Sequence, residues 1–200
     1  MTSELSAGTA AQLPFTSLPV WARPAPDDPQ RATTTGPTVT GTSYVLVGVG
    51  DAAHDAQDRR VPALPARASI SRIRAEDAAD AAERLQQALA TATVGVRVLI
   101  AGPVGACLKV RAAAVAAGLE DDEISVDVVG SGPIDVFCSH CRTVTTADAG
   151  MDDLVDCAGC GRELLVYYHV SRRKGAFLGF MADAESIPDP TTPTSQELPV

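Results

Sequence analysis

The hydrophobic and polar positions in the central part of this chain alternate between strand-like and helix-like periods. A β-branched run at 43–50 that ends in glycines predicts a fully buried strand. Ala and Leu positions between Glu76 and Ala92 form one apolar stripe behind an acidic first turn, which predicts a helix. The next predicted elements are a strand at 96–101, a sharp turn at Gly102-Pro103, a helix at 104–117 and a strand at 125–129. This order predicts an α/β fold with a small parallel sheet and right-handed crossovers.

The segment that follows the first strand predicts no regular element. Gly48-x-Gly50 could open a nucleotide-binding turn, but neither a third glycine nor an immediate predicted helix follows it. The stretch 51–60 is polar and predicts a loop, on which His54 is a surface histidine. A lone Gly-x-Gly is a weak motif, so it does not by itself indicate a nucleotide site.

Both ends of the chain differ in composition from its centre. Six prolines before residue 42 and four after residue 187 interrupt any period of 2 or 3.6. One exception is 15–21, which contains the only tryptophan, Trp21, and is expected to pack either on a partner or on its own domain. The predicted segments are an extended Pro-rich arm at 1–41, an α/β domain at 42–133, a four-cysteine metal-binding ribbon at 134–182 and a disordered tail at 183–200.

The ribbon is predicted from four of the five cysteines, which form two Cys-x-x-Cys motifs. Cys138 and Cys141 make the first motif, Cys157 and Cys160 make the second, and fifteen residues separate the two. This spacing is typical of a tetrathiolate zinc ribbon, and a rubredoxin-type iron accepts the same ligands. Gly161 follows the second motif where a positive φ is needed, whereas Arg142 stands there in the first, which predicts a less regular or mildly strained turn.

Charge and cysteine usage narrow the classes of function further. The sequence begins without a basic, apolar signal-like region, which favours bound metal over disulfides and predicts a cytoplasmic protein. The net charge of −9, with only two lysines, disfavours nucleic-acid binding, and no apolar run predicts a membrane span. The fifth cysteine, Cys107, lies in an apolar helical segment and is predicted to be a packed small hydrophobe.

Residues 98–126 resemble the closing unit of ferredoxin-reductase-type NAD(P)H domains. That unit contains a strand, a Cys-Gly-Pro turn, a helix, and a glycine six residues before an isoleucine that leads into the last strand. The matching positions are Gly102-Pro103, Gly118 and Ile124, while Ala101 replaces the turn cysteine. The resemblance implies a related fold, with Gly102 and Pro103 as a vestigial nucleotide turn.

A second resemblance covers most of the chain outside its two ends. The motifs that carry it are Phe-Thr-Ser-x-Pro at 15–19, Ala-Gly-Pro at 101–103, Val-Phe-Cys-x-x-Cys at 136–141, the Cys157–Cys160 pair and Tyr-x-His-x-Ser-Arg-Arg at 167–173. These features are similar to the small subunit of bacterial dimethylamine monooxygenase, the DmmA-like family. The resemblance implies a non-catalytic, metal-binding accessory subunit that acts as scaffold or electron relay. Its implied partners are a haem-containing monooxygenase subunit and flavin and iron–sulfur reductase subunits, which together demethylate a secondary amine.

Three interpretations remain open on the sequence alone. The preferred one is the accessory subunit with one tetrathiolate metal, for which Zn²⁺ is favoured over Fe because the first cysteine loop carries the bulky His140 and Arg142. The second is a stand-alone NAD(P)H-binding reductase fragment, and the third is a zinc-ribbon adaptor for nucleic acid or protein. The basic cluster at 172–174 is expected to be either a solvated turn or a docking surface for an anionic partner.

Overall fold

The first sheet of the chain is parallel and has four strands. The structure is a computed structural model that describes residues 11–24 and 41–183. The strands of this sheet are β1 Ser43–Val49, β2 Ser69–Ala75, β3 Val96–Gly102 and β4 Ile124–Val128, and the helices between them are α1 Asp51–Arg60, α2 Ala78–Leu89 and α3 Val104–Ala116. The strand order is β2-β1-β3-β4, and every neighbouring pair is parallel.

Helices cover both faces of this sheet. Alternate residues of β1 and β3 pack with Ala81 and Leu85 of α2 and with Val110 of α3 in one apolar cluster. On the opposite face, Ala53 and Ala56 of α1 pack against the sheet. Because both faces are covered, β1 is buried along nearly its whole length, as the β-branched run predicts.

Two elements of this sheet depart from the sequence prediction. The loop predicted at 51–60 is wrong: these residues form α1, which begins directly after Gly50. Its contact face consists only of Ala53, Ala56 and Gln57, so no stripe of large apolar residues marks it as a helix. Strand β2 has no predicted counterpart, because it is an edge strand that buries only Ile73 and Ala75.

The second sheet has five strands and a mixed pattern. Its strands are β5 Ile134–Cys138, β6 Val144–Ala147, β7 Leu154–Asp156, β8 Glu163–Ser171 and β9 Ala176–Met181. The order is β6-β5-β9-β8-β7, in which β5 and β9 are parallel and the other pairs are antiparallel. The predicted fold class is thereby confirmed: a parallel-sheet α/β domain precedes a β-rich module that carries the cysteine cluster.

Helix α3 lies against the second sheet as well as the first. The Nζ of Lys109 donates a 2.8 Å hydrogen bond to Asp135 of β5, and Leu108 packs into the apolar cluster of the second sheet. A Cβ on Gly175, in the turn between β8 and β9, would overlap the backbone of α3, so this approach requires a glycine. The exact boundary between the two units stays a sequence-based prediction.

The described part of the N-terminal arm packs on its own chain. Leu18 is 2% exposed within the cluster of the second sheet, and Trp21 packs against both clusters. The hydroxyl of Thr16 donates to the carbonyl of Tyr168, and Ser17 exchanges two hydrogen bonds with the backbone of Val170. Residues 1–10 and 25–40 of the arm predicted at 1–41, and residues 184–200 of the tail predicted at 183–200, lie outside the described residues.

The helices of the described residues are also too short or too polar to cross a lipid bilayer.

Candidate metal centre

Two cysteine loops of the second sheet bring four sulfur atoms together. The Sγ atoms of Cys138, Cys141, Cys157 and Cys160 all lie within 4.8 Å of one another. Across the two loops, the Cys138–Cys160 distance is 3.9 Å and the Cys141–Cys157 distance is 3.5 Å. A disulfide needs about 2.05 Å, whereas sulfurs arranged tetrahedrally around Zn²⁺ at about 2.3 Å lie roughly 3.8 Å apart. The separations therefore fit a tetrathiolate metal site and not a pair of disulfides.

The two loops have the same backbone hydrogen bonds. In the first, the N–H of Cys138 donates to Thr143 and the N–H of Arg142 donates back to the carbonyl of Cys138, both at 2.9 Å. In the second, Cys157 donates to Arg162 and Gly161 donates back to Cys157, again at 2.9 Å. Each loop is therefore held in shape by a matched pair of bonds, so that both of its sulfurs point to the same centre.

Arg142 adopts the backbone conformation of the glycine that it replaces. Its φ is 66°, the same value as that of Gly161 in the second loop. A non-glycine residue in this left-handed region carries strain on the order of 1 kcal/mol. The sequence predicted that this turn would be either less regular or mildly strained. The turn is regular, and the strain is carried by Arg142.

Hydrogen bonds from Thr143 and from backbone N–H groups to Cys141, Cys157 and Cys160 favour the ionised, metal-binding form of these three sulfurs. The side chain and then the backbone N–H of Thr143 lower the pKa of Cys141 to about 6. The backbone N–H of Cys160 is the main cause that lowers the pKa of Cys157. The N–H of Arg162 lowers the pKa of Cys160, but desolvation and the neighbouring cysteine sulfurs outweigh it and raise that pKa to about 11. The sulfurs of Cys141, Cys157 and Cys160 thus differ in proton affinity, and a nearby cation would favour the thiolate form of each.

Two residues of this site were not predicted from the sequence. Thr143 donates to the sulfur of Cys141, and its hydroxyl lies against Gly159 of the second loop. A Cβ on Gly159 would overlap that hydroxyl and would lie 3.1 Å from the sulfur of Cys141. Gly159, inside the second Cys-x-x-Cys motif, could have indicated a close approach to this loop, because glycine is favoured where another group comes near the backbone. No sequence pattern predicts the role of Thr143.

The site is partly buried and has four protein ligands. Cys138 and Cys157 are 0% and 3% exposed in the apolar cluster of the second sheet, and Cys141 and Cys160 are half-buried beside it. Four ligands leave no coordination position for substrate, which is typical of structural zinc sites and of tetrathiolate iron. The chemistry available here is therefore folding stabilisation or electron transfer, rather than Lewis-acid catalysis.

The predicted nucleotide turn lies at a different place, the carboxyl edge of the first sheet. Gly102 has a φ of 154°, and Pro103 is the N-cap of α3. A cavity of about 420 Å³ adjoins this turn, bordered by Gly50, Glu76, Pro103, Lys109 and the linker at 131–133. In parallel α/β sheets, ligands bind at this edge where the strand order reverses, here between β1 and β3. The role of Gly102 and Pro103 stays a prediction.

His54 is less exposed than the sequence predicted. Its side chain is 18% exposed, and it lies near Asp51 and Glu76 with their possible ligand atoms within 4.8 Å of one another. Both carboxylates are exposed, so this group lacks the enclosure of the cysteine cluster. Cys107, by contrast, is 0% exposed in the core of the first sheet, where burial raises the pKa of its thiol. The prediction that Cys107 is a packed hydrophobe is confirmed.

Comparison with known proteins finds a family model that the second unit matches. Residues 135–180 match the family model described as the C-terminal domain of dimethylamine monooxygenase subunit DmmA-like proteins. This match contains all four cysteines of the cluster and confirms the resemblance that the sequence motifs predicted.

A curated relative extends the match beyond the second unit. The heme-dependent oxidative N-demethylase delta subunit of Ectopseudomonas mendocina (strain ymp) is 39% identical over 101 residues. The aligned region covers 50% of this chain and 57% of the relative, so just over half of the relative's length is matched. No solved structure matches the chain.

Proposed function

We propose that this chain is a metal-carrying, non-catalytic accessory subunit of a multi-subunit haem-dependent oxidative N-demethylase. The observation that carries the proposal is the intact four-cysteine cluster inside the segment that matches the DmmA-like C-terminal domain. The relative is a delta subunit of such an enzyme, which supports the same assignment. A cytoplasmic location and a secondary amine such as dimethylamine as the substrate of the complex belong to the proposal.

We infer that the metal is zinc and that its role is structural. All four sulfurs come from two loops, and two of them, from Cys138 and Cys157, belong to the apolar cluster of the second sheet. A metal there would join the two loops and contribute folding free energy directly. The charged Arg142 beside the first loop also distinguishes the site from an electron-transfer iron centre surrounded by small residues.

The proposed partners are a haem-containing subunit and the flavin and iron–sulfur subunits that supply its electrons from NADPH. The arm offers a contact point for one of them. Leu18 anchors the arm in the chain's own cluster, while Phe15 is 78% exposed and Val20 is 50% exposed. Large apolar side chains that face solvent next to an anchored segment are typical of protein contact sites.

The test is purification of the full-length tagged chain from its native cells. We expect the purified fraction to contain a haem protein and to consume dimethylamine with NADPH, and the isolated chain to do neither. Phe15→Ser should reduce the haem recovered per chain, whereas Val94→Ser, at a fully exposed position elsewhere, should not. NADPH oxidation by the isolated chain would contradict the proposal.

The identity of the metal has a separate readout. Protein purified under reducing conditions should contain one zinc and show no visible absorption. An oxidised iron–tetrathiolate protein would instead be red, with charge-transfer bands that bleach on reduction. Normal turnover of the complex with zinc-only protein would exclude electron relay through the four cysteines.

NAD(P)H binding by the first sheet is a second candidate function, favoured by one observation. Helix α1 begins directly after Gly50, so the helix that the weak Gly48-x-Gly50 motif requires is present beside the cavity. The carboxylates of Glu76 and Asp77 border the same cavity and would repel a phosphate. We expect calorimetric titration of the chain with NADPH to show no tight binding; tight binding that Gly50→Glu abolishes would support the second candidate.

A further inference from the structure

Within residues 11–24 and 41–183, the five-stranded sheet has one covered face and one uncovered face. The covered face contains Val136, Leu164, Val166 and Phe177, all of which are buried. Directly paired residues on the other face form two rows across the strands. The first row is Val144, Phe137 and Leu178 on β6, β5 and β9, and the second row is Leu154, Leu165 and Phe180 on β7, β8 and β9. We call these six residues the outer apolar face.

The outer apolar face is accessible to solvent in the single chain. Leu154 is 52% exposed, Val144 and Phe180 are each 39% exposed, and the other three residues are half-buried beside them. The ring of Tyr167 packs edge-on against Phe180 at 5.0 Å between centroids and enlarges the patch. The positions of a sheet that face water are normally polar. Six apolar residues in register on this face therefore indicate a surface that is covered in the functional state.

Unpaired charges of opposite sign lie at the two ends of this face. At the end near the metal loops, Asp156 stands directly opposite Glu163 in the β7–β8 pair. Like charges in that position are destabilising unless a cation neutralises them. At the other end, the turn between β8 and β9 contains the exposed Arg172 and Arg173. Lys174 extends from the same turn over the apolar face, with its Nζ 4.8 Å from the ring centroid of Phe137. Among residues 11–24 and 41–183, none of these five side chains forms an ion pair.

This order of charges, acidic then apolar then basic, is complementary to itself. A two-fold axis parallel to the sheet and perpendicular to its strands would place the acidic end of one chain on the basic end of another. The apolar rows would then meet in the middle, as the isologous contact of a two-fold dimer requires. We propose that the outer apolar face is the interface of a homodimer, in which a second copy of this chain is the occupant. The proposal does not depend on the proposed function.

The first experiment measures the oligomeric state of the metal-loaded full-length chain by sedimentation over a range of concentrations. We expect a dimer, and we expect Phe180→Asp and Leu154→Asp each to raise its dissociation constant at least about tenfold. Metal content and the circular dichroism spectrum of these variants should remain unchanged, which separates loss of the interface from loss of the fold. Val94→Asp, at a fully exposed position outside the face, is the matched control and should remain dimeric.

The second experiment tests the charge pairing. One variant carries Asp156→Lys and Glu163→Lys, and another carries Arg172→Glu, Arg173→Glu and Lys174→Glu. Each alone places like charges on like charges and should be monomeric, whereas a mixture of the two should form a heterodimer. The proposal is overturned if the unmodified chain is a monomer up to about 100 µM, if its dimer survives Phe180→Asp, or if the mixed variants stay apart. A monomer that binds an unlike subunit through this face would equally overturn it.

Discussion

The two sheets of this chain reach stability by different routes. The first is covered by helices on both faces, so that Leu46 and Val47 in β1 are 0% exposed. The second is covered on one face, and two of its candidate metal ligands are themselves part of its apolar cluster. The first sheet therefore relies on apolar burial on both faces, whereas the second combines apolar burial on one face with a four-cysteine cluster that, in the proposed metal-bound state, would add stabilisation.

The expected magnitudes of these contributions differ. Burial of one Leu or Val side chain contributes about 1.5–3 kcal/mol. A structural zinc ion in a small domain contributes an apparent free energy of roughly 10–16 kcal/mol at neutral pH, as much as several core residues together. Loss of one ligand should therefore affect the second sheet more than loss of any single core side chain affects the first.

The largest effect is predicted for Cys141→Ser. Removal of this ligand should release the bound metal, unfold the second sheet and leave the first sheet folded, because the first has its own apolar cluster. Metal analysis should fall from one equivalent to near zero. In thermal unfolding, the second sheet of the variant should lose its structure at a lower temperature than in the unmodified protein, before the first sheet unfolds.

The matched control for this variant is Cys107→Ala. It also removes one thiol, but from the core of the first sheet, far along the chain from the four-cysteine cluster. We expect it to retain the full metal content. If Cys141→Ser kept one metal equivalent and the native melting profile, the cluster would not be a metal site.

A smaller effect, confined to the first sheet, is predicted for Leu85→Ala. Leu85 is 0% exposed between α2 and the sheet, so its truncation leaves a cavity and should lower the free energy of unfolding by about 2–5 kcal/mol. The metal content should not change. Val94→Ala, at a 100% exposed position, should alter stability by less than about 0.5 kcal/mol in the same urea titration. Metal loss in Leu85→Ala would show that the two sheets do not stabilise independently.

The same contrast explains how much of each unit could be predicted from sequence. Strands β1 and β3 could be predicted from the sequence, because strands covered on both faces form nearly continuous apolar runs. Helix α1 and strand β2 were not predicted because each buries only two or three residues. Their other residues are mostly exposed, so no apolar period is visible in the sequence. Their placement depends on neighbours that are distant in sequence.

The candidate metal site was predictable in its ligands but not in its surroundings. Two Cys-x-x-Cys motifs at ribbon spacing predict which sulfurs meet, because the geometry is local to each loop. The contact of Thr143 with Gly159 joins the two loops, and the hydrogen bonds of Ser17 to Val170 join positions 153 residues apart. Local sequence patterns do not predict contacts between residues that are so far apart in the chain.

The arm tests whether the second sheet also needs support from outside its own strands. The hydroxyl of Ser17 accepts from the N–H of Val170 at 2.9 Å and donates to its carbonyl at 3.1 Å, where β8 bulges. Ser17→Ala should leave both backbone groups without this partner and lower stability by about 1–3 kcal/mol. Thr91→Ala, which removes an exposed hydroxyl bond at the end of α2, should change it by less than about 0.5 kcal/mol.

Amide hydrogen exchange locates the effect of the Ser17 variant. The N–H of Val170 should exchange faster in Ser17→Ala, while the amides of β1 should keep their protection. Equal acceleration in both sheets would mean that the arm stabilises the chain as a whole rather than the second sheet.

The smallest predicted effect compares the two cysteine loops with each other. Arg142 and Gly161 share a φ of 66°, and a Cβ on Gly161 would meet no atom within 4 Å, so conformation alone distinguishes glycine from other residues there. Arg142→Gly should relieve the strain and stabilise the metal-bound protein by about 0.5–1 kcal/mol, whereas Gly161→Ala should destabilise it by a similar amount.

The control for the loop comparison is Arg162→Gly, which removes the same charge at a position without a positive φ. It should be neutral or destabilising, because a glycine there only adds freedom to the unfolded chain. Urea unfolding at a fixed, saturating metal concentration measures all three variants. If Arg142→Gly were as destabilising as Arg162→Gly, the arginine side chain would contribute more than its backbone strain costs, and the two loops would be equivalent in shape but not in energy.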